Sequence, residues 1–422
     1  MELHIGKYEV QKVLGRGATG TVYLAKDPFS GKEIALKTID PAVFKDPENG
    51  EVFRLQFLNE ASLAGKLRHP HIVAILDAAV QEEGGYIAME LVTGGDLSGH
   101  VSADTLLPVA DVLQIGFKCC GALDYAFQEG VIHRDIKPAN LMMAQGRRVK
   151  IADFGAARLN RTTTTTTQAV AMGSPFYMPP EVVEGKEPTY HSDLYSLGVV
   201  LYELLTARRP FTADSLDALA GKILHEDPIP PSKLRAGLPR QLDDIVLRAM
   251  RKQPRERHDY YGDLAQELAK AAKLVLPPQA IPESEQYVML KRSEMLAELS
   301  DAELWELARA AYWSRAPKGT IVLRENDEGD SFFYLAEGEV KVTRKGRLLN
   351  VLKKTECFGE MAYIREGDAR RQATVQATSE LLLAEFRPLT LMQMDLNAQL
   401  QLTRALVRNL ADRLELANTK IT

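Results

Sequence analysis

Cysteine is scarce in this chain: Cys119, Cys120 and Cys357 are the only three in 422 residues. Two of them are adjacent, so they form neither a disulfide framework nor a metal-ligand spacing, and a reducing compartment is expected. Long apolar runs are lacking as well. The longest, 72–76 and 332–336, fall far short of the roughly 20 residues that a spanning helix needs. The N-terminus has no cationic stretch followed by an apolar one, which argues against a leader segment. Together these absences predict a cytoplasmic protein with no membrane partner. A basic excess is missing too: 52 Lys+Arg stand against 57 Asp+Glu, for a net charge of −5. With no Lys/Arg block, nucleic acid is not an expected partner. What remains is an ordinary globular mix, 26% charged and 45% hydrophobic, long enough for two or three domains.

The most informative stretch is His133-Arg134-Asp135-Ile136-Lys137-Pro138-Ala139-Asn140. It sets a carboxylate, a lysine and an amide on one short loop. Phosphoryl transfer from a metal nucleotide needs those groups: Asp135 to orient a hydroxyl and accept its proton, Lys137 to sit against the transferring phosphate, and Asn140 to ligate a metal. Downstream, a short strand ends in Asp153-Phe154-Gly155, which places a second carboxylate, Asp153, for Mg²⁺.

Upstream, residues 6–39 read as strands. They contain Gly15-Arg16-Gly17-Ala18-Thr19-Gly20-Thr21-Val22, a loop whose glycines let the backbone approach phosphates. Alone, this spacing fits a dinucleotide-binding turn equally well. Here a strand follows instead of a helix, and it is succeeded by the strand Ile34-Ala35-Leu36-Lys37. Lys37 at that distance is expected on the nucleotide phosphates. Residues 54–67 have helical apolar spacing, and Glu60 within them is expected to pair with Lys37. Residues 72–76 and 86–89 are strand-like. The backbone of Glu90 and Val92, before the turn at Gly94-Gly95, suits the edge of an adenine ring. Residues 109–128 read as a buried helix.

With these motifs in place, residues 8–274 resemble a eukaryotic-like Ser/Thr protein kinase of the bacterial type. The resemblance implies a two-lobed α+β fold with ATP and Mg²⁺ in the cleft and protein Ser or Thr hydroxyls as acceptors. Carried over by motif, Asp135 is the catalytic base, Lys37 and Lys137 bind phosphate, Asn140 and Asp153 bind Mg²⁺, and Gly15, Gly17, Gly20 and Val22 cover the nucleotide. Glu181, in Pro179-Pro180-Glu181, is expected to pair with Arg257, and Asp193 to brace the catalytic loop. Gly173-Ser174 resembles a pair that selects hydroxyl substrates. Arg134 beside Asp135, with six threonines at 162–167, implies an activation segment ordered by phosphorylation.

Three prolines at 277, 278 and 282 break the helical pattern and predict a semi-rigid linker. The expected division is a kinase domain at 1–274, a linker at 275–292 and a second domain at 293–422. The second opens with an amphipathic helix at 293–311, with a capping box at Ser300 and Glu303 for its second part. Residues 319–384 then change to a period of two, a small β-barrel or jelly roll, and helix closes the chain at 389–416. Within the barrel, Gly359 permits a close backbone approach, Glu360 can accept a ribose 2′-hydroxyl, and an arginine about a dozen residues on can hold a phosphate. This pattern, with Gly329-Asp330-Ser331-Phe332-Phe333-Tyr334, resembles a cyclic-nucleotide-binding domain. The resemblance makes Arg371, in Arg371-Gln372-Ala373-Thr374, the phosphate ligand, with Arg370 the alternative and Thr374 in the same motif. It implies cAMP or cGMP as effector, the choice between them open. The competing expectation is a ligand-free interaction or dimerisation module, since the apolar C-terminal helix also suits a homodimer.

Overall fold

A computed structural model describes residues 3–17, 20–39, 50–81, 84–144, 148–154, 174–276, 280–364 and 370–419. The chain divides into two compact units, Met1–Leu276 and Pro277–Thr422.

The first unit begins with a six-stranded antiparallel sheet: β1 (His4–Ile5), β2 (Tyr8–Gly17), β3 (Gly20–Lys26), β4 (Glu33–Ile39), β5 (Ile75–Gln81) and β6 (Gly84–Glu90), ordered β1-β2-β3-β4-β6-β5. Tyr8, Ala25, Ile34, Leu36, Tyr86 and Ala88 form its buried face, the alternation that a half-buried sheet requires. Helix α1 (Gly50–Ala64) precedes β5. It starts and ends a few residues before the expected 54–67, closing where the Gly65 N–H bonds the Ala61 carbonyl. The strand expected at 72–76 is also displaced. Ile72 pairs in parallel with Ile151 instead, and the β5 ladder begins at Ile75.

The rest of this unit is helical. Helix α2 (Val109–Gln128) runs through the core with Val112, Cys119, Ala122 and Ala126 inaccessible. The hairpin β7 (Leu141–Ala144) and β8 (Arg148–Ile151) follows. Helices α3 (Tyr190–Thr206), α4 (Leu216–His225), α5 (Arg240–Ala249) and α6 (Tyr261–Val275) complete the unit. Cys119, Cys120 and Cys357 are all free and buried.

The second unit contains a helix where linker is expected: α7 (Glu283–Lys291). Pro282 sits at its N-cap, outside the helix, and Glu283 and Glu285 lie in the first turn, where the helix dipole favours acids. Tyr287 of α7 stacks on Trp305 at 4.5 Å, within helix α8 (Asp301–Ala310). The helix expected over 293–311 is therefore interrupted. The Ser300–Glu303 capping box forms, with Ser300 N–H on Glu303 Oε2 at 2.7 Å, and it opens α8, the second part of that span, as expected.

Two four-stranded antiparallel sheets make the jelly roll. One is β10 (Ile321–Leu323), β15 (Thr374–Ala377), β12 (Glu339–Arg344) and β13 (Arg347–Lys353); the other is β14 (Cys357–Phe358), β11 (Phe332–Glu337), β16 (Leu381–Phe386) and β9 (Tyr312–Ala316). Leu335, Val340, Leu352, Phe358, Val375 and Leu383 fill the space between them. The short helix α9 (Glu360–Ile364) follows β14, and α10 (Leu396–Thr419) ends the described chain. The helix expected over 389–416 is split, with Pro388–Leu391 a separate turn.

Candidate functional sites

The loop at 133–140 is held from beneath. Asp193 of α3, 1% exposed, accepts the backbone N–H of His133 at 2.9 Å and of Arg134 at 2.8 Å. Tyr261 of α6 donates its hydroxyl to the same carboxylate at 3.3 Å. Burial raises the Asp193 carboxyl above its ordinary pKa, against the lowering influence of His133 and those bonds. The ring of His133 ties the loop to the strand after it: Nε2 lies 2.8 Å from the Ala152 carbonyl, and Nδ1 accepts the Asp135 N–H at 3.2 Å. A carbonyl only accepts, so the proton of a neutral His133 resides on Nε2.

These constraints bring Asp135, Lys137 and Asn140 together. Lys137 Nζ donates to Asp135 Oδ2 at 2.7 Å. Asn140 Nδ2 donates to the Asp135 carbonyl at 2.7 Å and to Oδ2 at 3.1 Å. The amide oxygen of Asn140 is thereby left as its remaining ligating atom.

Lys37 on β4 reaches Asp153, with Nζ 2.8 Å from Oδ2. Burial would raise the Asp153 carboxyl, but the charge and bond of Lys37 outweigh it and hold the group below its ordinary value. Asp153 has φ +62°, a left-handed conformation. The side chain of Glu60 lies outside the described residues, as do 155–173 with the threonine run and Gly173. In the hairpin β2–β3, Gly15 pairs with Val22 and Gly17 with Gly20. A Cβ at Gly20 would collide with the Thr38 carbonyl, so only glycine fits there. Glu90 ends β6, and its backbone N–H is used by the Ala74 carbonyl at 3.0 Å. Val92 follows in the irregular segment before Gly94.

Glu181 and Arg257 form a fork-to-fork pair at 2.8 and 2.7 Å. Ser192 Oγ donates to the same carboxylate. Burial pushes Glu181 up, and the bonds and charge of Arg257 reverse this and hold it below its ordinary value.

The second unit has a cavity of about 310 Å³ bounded by Leu323, Leu352, Phe358, Val375 and the ends of β12 and β15. Among the described residues its lining includes Arg344, Arg370, Arg371 and Arg413 but only one acid, Glu360. Arg371 is 6% exposed. Its Nη1 donates to the Ser331 carbonyl at 2.6 Å and the Gly359 carbonyl at 3.2 Å, and Nη2 donates to Ser331 Oγ at 3.1 Å. None of those acceptors carries charge. Burial draws the Arg371 pKa down. Gly359, at φ +84°, lies where a Cβ would press on Arg371 Nη1 at 3.1 Å.

Glu360 is not free to face the cavity alone. Its Oε1 accepts Nη1 of Arg413 from α10 at 2.8 Å, and Arg413 Nη2 bonds the Cys357 carbonyl at 2.6 Å. Arg413 escapes sequence reasoning because 53 residues separate it from Glu360 and no motif marks it. Thr374 differs from its expected place. Its Oγ1 accepts the Glu325 N–H at 3.0 Å, and it is not among the residues lining the cavity. As first residue of β15, it alternates away from Ala373 and Val375, which do line it. Among the described residues, no cluster of three or more His, Cys, Asp or Glu side chains is arranged for a metal, and no helix is long and apolar enough to cross a membrane.

Comparison with known proteins matches residues 8–269 to the protein kinase domain and residues 313–395 to the cyclic nucleotide-binding domain. The chain is 38% identical over 279 residues to the serine/threonine-protein kinase PknB of Mycobacterium leprae, covering 65% of this chain and 44% of that protein. To PknB of Mycolicibacterium smegmatis it is 37% identical over 292 residues, covering 67% of this chain and 46% of the relative. To the probable serine/threonine-protein kinase CPE1738 of Clostridium perfringens it is 34% identical over 268 residues, 63% of this chain and 38% of that protein. The chain thus spans less than half the length of these curated relatives. With the Asp135–Lys137–Asn140 cluster and the Lys37–Asp153 pair inside the matched residues, the chain belongs to the protein kinase family, and a cyclic nucleotide-binding domain follows its kinase domain.

Proposed function

We propose that this chain transfers the γ-phosphoryl group of ATP to Ser or Thr hydroxyls of proteins, and that a cyclic nucleotide in the second unit controls the rate. The observation that carries the first part is the convergence of Lys137 and Asn140 on Asp135 Oδ2. With Oδ2 so occupied, Oδ1 is left for the acceptor hydroxyl. The hydroxyl oxygen forms the new bond to phosphorus, the bond to the ADP oxygen breaks, and the hydroxyl proton passes to Asp135. Lys137 balances charge on the transferring group. The Asn140 amide oxygen and the Asp153 carboxylate are hard oxygen donors that suit Mg²⁺; when bound, the ion neutralises charge on the phosphates. Lys37 holds the phosphates from the β4 side, and the backbone of Glu90 and Val92 receives the adenine.

The second part rests on Arg371, a buried cation whose hydrogen-bond acceptors among the described residues are uncharged, in a cavity whose described lining includes four arginines. Burying a charge is costly; Asp330 and Glu385 offset that cost only in part, since burial still holds the Arg371 pKa down, and an anionic ligand offsets it further. A cyclic phosphate on Arg371 and a ribose hydroxyl on Glu360 use both groups. Phosphorylation rate measured with and without saturating cAMP or cGMP, in wild type and Arg371→Ala, tests this. A change in rate that the variant abolishes supports it; equal rates throughout contradict it.

The Arg413–Glu360 pair favours a second reading, in which the cavity is satisfied internally and the unit serves as an interaction module. Calorimetry that detects neither cyclic nucleotide binding to wild type would select that reading.

A further inference from the structure

Glu90 ends the strand whose backbone is assigned to adenine, yet its side chain points into a three-way junction. One oxygen, Oε1, accepts both the Ala74 N–H at 3.0 Å and Nζ of Lys150. Lys150 lies on β8, three residues before Asp153. The junction is partly shielded, the two side chains being 31% and 16% exposed. Around it the backbone is stitched without gaps. The Glu90 N–H bonds the Ala74 carbonyl, Val73 N–H bonds the Ile151 carbonyl at 2.8 Å, and Ile151 N–H bonds the His71 carbonyl at 2.9 Å. Beyond Ile151, the Ala152 N–H bonds the Asn140 carbonyl at 2.8 Å. An unbroken path therefore runs from Glu90 through Lys150 to Asp153 and Asn140. One end receives the base, and the other carries both groups assigned to the metal.

We propose that the Glu90–Lys150 ion pair is a positioning strut that sets the span between the base-binding backbone and the Asp153/Asn140 end of the nucleotide cleft. This inference rests on the kinase reading above. A rigid span matters because a nucleotide is held at both ends at once. If the span relaxes, each end still binds its own part, but the two no longer fit one molecule without strain. Glu90 and Lys150 touch neither the transferring phosphate nor the acceptor hydroxyl in this assignment, so they act through Asp153 and Asn140.

The test compares two probes on the full-length chain by calorimetry. Adenosine engages only the base end, whereas the Mg²⁺ complex of a non-hydrolysable ATP analogue engages both. In Lys150→Met, which keeps the chain length but not the charge, the dissociation constant for the Mg²⁺–nucleotide complex rises about tenfold, the loss of a part-buried charged hydrogen bond. That for adenosine stays within about twofold. Glu90→Gln retains an acceptor for Ala74 and shows the same split. The reciprocal Glu90→Lys/Lys150→Glu exchange regains part of the lost affinity. If both probes weaken together, the pair merely supports the fold; if neither changes, it sets no span. Either result overturns the strut while leaving the kinase reading in place. Failure of wild type to bind either probe overturns the kinase reading, and the strut falls with it.

Discussion

The carboxylate of Asp193 accepts the backbone N–H of Arg134 at 2.8 Å, and Arg134 stands at φ +70°. A branched-free but long side chain rarely occupies that left-handed region, which costs about 1–3 kcal/mol unless neighbours enforce it. Asp193 enforces it and so fixes where the next residue, Asp135, points. Asp193→Ala removes the acceptor of two N–H groups. The first unit is expected to lose about 2–4 kcal/mol of stability by calorimetry. The turnover number falls about 10²-fold and the KM for ATP changes by less than about threefold, since neither base nor phosphate contacts are touched.

Lys37 and Asp153 neutralise each other across the cleft. Lys37→Met removes the charge and bond that hold Asp153 down; burial is then opposed only by the weaker charges of His133 and Lys137, and its carboxyl pKa rises. Phosphoryl transfer is expected to fall by about 10²- to 10³-fold through loss of a charged phosphate contact. Steady-state kinetics at varied ATP check this, with a raised KM accompanying the loss.

The Glu181–Arg257 pair makes a signed prediction about acid. Its folded pKa is depressed below the ordinary 4.5, so its stabilising contribution is complete above pH 4.5 and is lost as pH falls through the folded value. Arg257→Leu leaves a buried carboxylate unpaired and lowers stability by about 3–5 kcal/mol at neutral pH. Because an unpaired buried carboxyl titrates upward, the variant loses less stability than wild type between pH 6 and about 4. Thermal unfolding across that range checks the sign.

Trp305 and Trp313 are the only tryptophans in the chain, and both lie in the second unit, so tryptophan emission reports that unit alone. Arg413→Met strips Glu360 of its partner, and the emission-monitored unfolding free energy is expected to drop by about 2 kcal/mol. If the proposed cyclic nucleotide site is right, Arg371→Ala is expected to weaken binding about 10- to 100-fold by calorimetry, the worth of a charged hydrogen bond or two.

Residues whose chemistry depends on identity at short spacing could be read directly. Asp135, Lys137 and Asn140 share one loop, and the capping box at Ser300 and Glu303 is local, so both are visible in the sequence. Partners brought together by the fold are not. Lys150 meets Glu90 across 60 residues, and Arg413 meets Glu360 across 53; each reads as an ordinary surface cation. Thr374 shows the opposite error. Motif places it beside Arg371, but strand alternation turns its hydroxyl toward Glu325. Apolar periodicity located α1 and α10 but not their ends, because Gly65 and Asp395 end or start helices through backbone and side-chain bonds that periodicity does not register.

The most direct measurement is phosphate transfer from radiolabelled ATP to Ser and Thr of a protein acceptor, by wild type and Asp135→Asn. The account predicts incorporation by wild type and a loss of at least about 10³-fold in the variant, the contribution of a positioned base. Equal incorporation by the two proteins would contradict it.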